Sequence, residues 1–109
     1  MGDFSRNVDP VPLNGGVLVR VVGNSQMTTG GIYLPETAST RPVQGVVECV
    51  SRGYYDPSGS WLDHEVHIGD VVIFNWRSGF DLILDDAEYR IIHERDIVAI
   101  LKGANYGEE

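Results

Sequence analysis

The sequence predicts a small all-β domain, an irregular barrel in preference to a two-layer sandwich. Three observations lead there. Runs rich in β-branched and aromatic residues recur at short intervals, bounded by Gly, Pro, Asp and Asn, while helical spacing of apolar residues is hard to find. The chain has 109 residues, room for one domain with one modest core. Closely spaced short strands in so short a chain favour closure over two packed sheets. The hydrophobic share of 42% is that of an ordinary globular protein, which argues against wholesale disorder.

Residues 1–11 form an extension ahead of the first strand, without the basic and then apolar order of a signal peptide. The turn "LNGG" leads into a strand at about Val17–Val22, and a Gly-, Thr- and Pro-rich segment, 23–42, separates it from a second at Val43–Ser51. In that second strand Val46, Glu48 and Val50 point one way, Val47 and Cys49 the other. Residues 51–69 carry Tyr54, Tyr55 and Trp61 around the turn Asp56–Ser60 and read as a hairpin standing off the barrel.

After the turn His67–Asp70, the strand Asp70–Asn75 alternates Val71 and Ile73 with Val72 and Phe74. Both sets are apolar, so both of its faces are expected to be covered. Arg77–Gly79 turns the chain into Leu82–Leu84, and Leu84–Glu88 turns it again into Tyr89–His93. His93–Asp96 makes a turn or one helical turn before the last strand, Ile97–Leu101, and residues 102–109 form a tail.

Composition excludes several function classes. The formal net charge is −8 and the eight basic residues are scattered, which speaks against a nucleic-acid partner. No apolar run approaches the roughly 18 residues of a membrane-spanning helix. Cys49 is the single cysteine, so no intrachain disulfide can form, as suits a reducing cytoplasmic setting.

His64 and His67 lack further ligands at a zinc spacing and read as solvated polar residues; Cys49 reads as a small core residue. Asp85-Asp86 reads as a turn pair, and no Gly-rich loop carries a phosphate-binding lysine. The expectation is no metal, no cofactor, no catalytic residue and no enzyme activity.

One stretch resists a purely structural reading. "MTTGGIYLPETASTRPVQG", Met27–Gly45, has the composition of a loop yet holds Ile32, Tyr33 and Leu34 in a row. A connection that long without structure of its own is usually functional or disordered. Apolar triplets are usually core, so the triplet alone also fits a short buried strand.

Five segments, in order, resemble the GroES-like co-chaperonins over about Pro12–Leu101: "PLNGGVLVR", "TGGIYLPETA", "QGVVECV", "VHIGDVVIFN" and "YRIIHERDIVAIL". The resemblance implies an irregular β-barrel subunit that assembles with itself into a homo-oligomeric ring, a heptamer. That ring caps a GroEL-type chaperonin and encloses unfolded client proteins.

The resemblance further implies that segment 23–42 is a mobile loop, with Gly30, Gly31, Ile32, Tyr33 and Leu34 as the chaperonin-binding tip. The hairpin 51–69, with Tyr54, Tyr55 and Trp61, becomes the roof of the dome. The family's ring sets the first strand beside a neighbour's last, so Leu13, Val17, Val19, Ile97, Ala99 and Leu101 are the expected subunit interface. ATP chemistry belongs to the partner in this family.

The chain departs from the family pattern at several places. Gly15-Gly16 stands where Asp-Arg is usual, Ser51 where a Gly follows the second strand, and Tyr33 where the tip has a small aliphatic residue. Such departures fit a divergent or virus-encoded member. A β-barrel adaptor or ligand-binding module without a chaperonin partner is the alternative class. A dehydrogenase with a related barrel ranks last, because the chain lacks room for a dinucleotide-binding domain and lacks a zinc-ligand set.

Overall fold

The structure, a computed structural model, describes residues 9–23 and 41–103. The expected tip residues Gly30, Gly31, Ile32, Tyr33 and Leu34 lie outside the described residues, as do 1–8 of the extension and 104–109 of the tail.

Eight strands run through the described residues: β1 (Gly16–Gly23), β2 (Pro42–Val50), β3 (Tyr54–Tyr55), β4 (Trp61–Leu62), β5 (Val71–Asn75), β6 (Phe80–Leu84), β7 (Ala87–His93) and β8 (Ile97–Ile100). A 3-10 turn, Glu94–Asp96, joins β7 to β8, where the sequence predicts a turn or one helical turn. The fold is all-β, as the sequence predicts.

Six strands form one antiparallel sheet in the order β6-β7-β1-β2-β5-β8, and β3 and β4 pair in a sheet of their own. Arg90 on β7 lies with its guanidinium 5.6 Å from the Phe74 ring on β5, and Ile92 shares a core with Phe74. Those strands are three places apart in the sheet, which at about 4.8 Å per strand would hold them well apart if it were flat. The sheet therefore curls around its core, with β6 and β8 as its two edges.

Valine dominates that core. Val17, Val19, Val72 and Phe74 have no exposed surface, and Val66 from the hairpin segment joins them. Val71 through Phe74 are all buried, so β5 is covered on both faces as its sequence requires. Two tight turns use residues that tolerate the left-handed region. Asn14 and Gly15 close the turn before β1, and Asp85 and Asp86 form the two-residue link between β6 and β7.

The expectation for the first strand is corrected. β1 has no free edge: Val17 pairs with Val50 of β2 on one side and with Ile92 of β7 on the other. Val17 and Val19 are 0% exposed inside their own subunit and present no surface to a second copy. Neighbouring strands along the chain are not neighbours by rule, and the pairing of β1 with β7 closes what the chain order leaves open.

Cys49 is corrected too. It sits half-buried at the outer end of β2, not in the core.

On β2, opposite Val21 of β1, Gly45 is required. A Cβ there would lie 2.1 Å from Val19 Cγ1 and 3.0 Å from the Arg20 carbonyl oxygen. Val19 is enclosed and has nowhere to go. Gly45→Ala should therefore lower stability by about 1–3 kcal/mol through overpacking, read as a lower urea midpoint; an unchanged midpoint would contradict this packing.

Candidate functional site

Three regions carry the residues that the sequence singles out, and the sheet order fixes where each stands. The first is the root of the long connection. Gly23 faces Gln44 across the β1–β2 ladder, so the chain leaves and re-enters the sheet at adjacent points.

The return point is braced. Trp76 N–H donates to the Arg41 carbonyl at 2.9 Å, and the guanidinium groups of Arg41 and Arg77 lie 5.0 and 5.2 Å from the Trp76 ring centre. Behind them Arg90, 8% exposed, donates through Nη1 to the carbonyls of Trp76 and Ser78. Its Nε lies 2.7 Å from Asp81 Oδ1, an ion-pair distance. A buried guanidinium with its donors directed at one turn holds that turn in place.

The second region is the β8 edge. Ile97 and Leu101 are half-buried and Ala99 is exposed, with Val98 beside it 73% exposed. Leu13, just ahead of β1, is 75% exposed. Of the six residues expected at a subunit interface, these four retain surface and Val17 and Val19 do not. A groove of about 440 Å³ runs along β8, walled by Leu62, Val66, Glu94, Val98 and Ala99.

The third region is the hairpin. Tyr55 and Trp61 face each other across β3 and β4, ring centres 5.0 Å apart in an edge-on contact. Asp56 accepts from the Ser58 hydroxyl at 2.7 Å and from the Ser60 and Ser58 amides, and the Ser58 bond leads in lowering its pKa. Tyr54 points the other way, toward the barrel, with its ring against His93 and His64.

The structure adds a cluster the sequence reading missed. His64 is not solvated: its side chain is 5% exposed and that of Glu94 is 10% exposed. His64 Nδ1 bonds Glu94 Oε1, and His64 Nε2 lies 2.7 Å from Ser51 Oγ. Gly15 N–H donates to the same Oγ at 3.0 Å, and Glu65 N–H donates to Glu94 Oε2 at 2.6 Å. One tautomer satisfies every group: Ser51 O–H donates to Nε2, and Nδ1–H donates to Glu94.

Ser–His–Glu is the order of a hydrolytic triad. Here, however, the backbone N–H that reaches the hydroxyl, that of Gly15, is engaged by Ser51 Oγ itself, and Ser51 is 8% exposed. The arrangement fastens segments together. Gly15 suits it because its φ is +83° and a Cβ there would meet His93 and Tyr54 within 3 Å. The only sequence signal was the Ser in place of the family's Gly.

His93 stands beside this cluster, its Nδ1 accepting from Arg95 N–H at 3.1 Å. Burial lowers its pKa from 6.5, and the charge of Arg95 adds to that, against the opposing charges of Asp96 and Glu94. The folded state thus prefers neutral His93, and the unfolded chain binds the proton first as pH falls. Stability should be full above about 6.5 and decline as pH drops through the lowered value. Denaturant midpoints across that range measure it, and His93→Asn should flatten the slope; an equal slope in both proteins would contradict the assignment.

Residues 10–101 match the family model described as Chaperonin 10 Kd subunit. The chain is 37% identical over 92 residues to a protein of Lawsonia intracellularis named Co-chaperonin GroES, covering 84% of this chain and 91% of that one. It is 40% identical over 91 residues to the protein of that name in Lactobacillus delbrueckii subsp. bulgaricus, covering 84% and 97%. Against the one in Pelagibacter ubique it is 38% identical over 89 residues, covering 82% and 93%.

Proposed function

The chain belongs to the chaperonin 10 Kd subunit family, and we propose that it is a co-chaperonin: a non-enzymatic ring that caps a GroEL-type chaperonin. The observation that carries this reading is the family match over residues 10–101, which spans the segment holding the Ile32-Tyr33-Leu34 triplet. In this reading the ring is a heptamer in the cytoplasm. It encloses unfolded clients while the partner hydrolyses ATP.

The contact is made by Gly30, Gly31, Ile32, Tyr33 and Leu34. Each apolar side chain that enters a groove contributes roughly 1.5–3 kcal/mol. Each loop residue that orders on binding costs about 1–2 kcal/mol in backbone entropy. The two nearly cancel, so a single segment binds weakly. A ring presenting several copies binds firmly, because later contacts form at high effective concentration. Weak single contacts let the cap release when the partner changes shape.

The braced root at Arg41, Trp76 and Arg90 supports this reading, since it gives the segment a fixed base. Among the described residues β8 is an edge strand, and that edge with the exposed Leu13 supports ring assembly through Leu13, Ile97, Ala99 and Leu101. An unpaired edge is a template for another chain. The Tyr55–Trp61 pair at the hairpin's exposed end supports a place in the roof, with Tyr54 anchoring it below.

Ile32→Ser removes one apolar anchor per copy. Binding to a GroEL-type chaperonin, measured by co-sedimentation with nucleotide present, should weaken at least about tenfold per the loss of roughly 1.5–3 kcal/mol at each loop. The ring mass should be unchanged. Undiminished binding by an intact ring would overturn the contact.

A further inference from the structure

The hairpin strands β3 and β4 join no ladder of the main sheet. Residues 51–66 are tied to it by the Ser51 N–H bond to the Gly16 carbonyl at 3.1 Å, by Val66 in the core, and by the Ser51–His64–Glu94 relay. Both carboxylate oxygens of Glu94 are engaged by the hairpin's return leg: one holds His64 Nδ1, the other the Glu65 amide. Glu94 also opens the 3-10 turn that runs directly into β8, and it forms part of the wall of the groove along that strand.

One side chain is therefore shared by the hairpin and the sheet edge. Whatever displaces β8 or the 94–96 turn displaces the only carboxylate bonded to His64 among the described residues. His64 is enclosed and would be left facing Ser51 alone, a costly state for a buried polar ring.

We propose that this relay couples the hairpin to the subunit boundary: a second copy packed along β8 orders residues 51–66, and its departure loosens them. The inference rests on the ring reading above. Coupling of this kind is reciprocal, so an ordered hairpin in turn favours the packed edge. Ser51 is the arm that carries the relay to the turn before β1, through the Gly15 N–H.

Amide exchange by mass spectrometry tests it, with native mass on the same samples reporting assembly. In the unaltered chain, assembly should slow exchange at residues 53–63 at least about tenfold, together with 97–100. In Ser51→Gly and in His64→Leu, assembly should still slow 97–100, but 53–63 should no longer follow. Ser51→Gly removes one small side chain and leaves the His64–Glu94 bond in place, so it keeps the test open if His64→Leu misfolds.

Equal slowing at 53–63 in variants and unaltered chain would overturn the coupling, as would no slowing in unaltered rings. If native mass shows no ring, the ring reading fails on its own. The coupling is then read in the single chain: Ser51→Gly raising exchange at both 53–63 and 94–100 supports it, and any other pattern overturns it.

Discussion

The central place of β1 is the constraint on which the rest depends. With β2 on one flank and β7 on the other, and Val17 and Val19 sealed beneath, its position fixes the sheet order. That order has three consequences. β6 and β8 become the edges. The long connection starts and ends inside the sheet, beside the braced turn that Arg90 holds. The hairpin segment, inserted between β2 and β5, pairs as a sheet of its own and is attached by the Ser51 N–H bond to Gly16, by Val66 in the core and by the Ser51–His64–Glu94 relay.

Apart from Val66, those attachments are polar, whereas the sheet's core is apolar. The curled sheet is held by valines that need only shape and burial. The hairpin root is held by Ser51, His64 and Glu94, which need distance, direction and the right tautomer. An apolar contact degrades gradually as it is pulled apart, whereas an enclosed hydrogen-bonded relay is either satisfied or costly.

Much of the fold was legible in the chain, for a physical reason. Alternation and turn residues are local, so β2, β5 and β7 were readable within a few residues, as was the Asp56 turn. β6 begins at Phe80, earlier than its apolar triplet suggests, because Phe80 and Ile83 are exposed on an edge strand and leave no alternation to read. Pairing between distant strands leaves no local trace, which is why the place of β1 between β7 and β2 was not readable in the chain. The burial of His64 was hidden likewise, since its partners stand far off in the chain, at positions 51 and 94.

Family membership and the position of β8 at the sheet's edge among the described residues lead to one proposal, a homo-oligomeric ring that caps a chaperonin. Native mass spectrometry of the chain, alone and then mixed with a GroEL-type chaperonin and nucleotide, addresses it most directly. The account predicts a heptamer alone and a stable complex of that ring with the chaperonin. Monomer alone at micromolar concentration, with no complex on mixing, would contradict it.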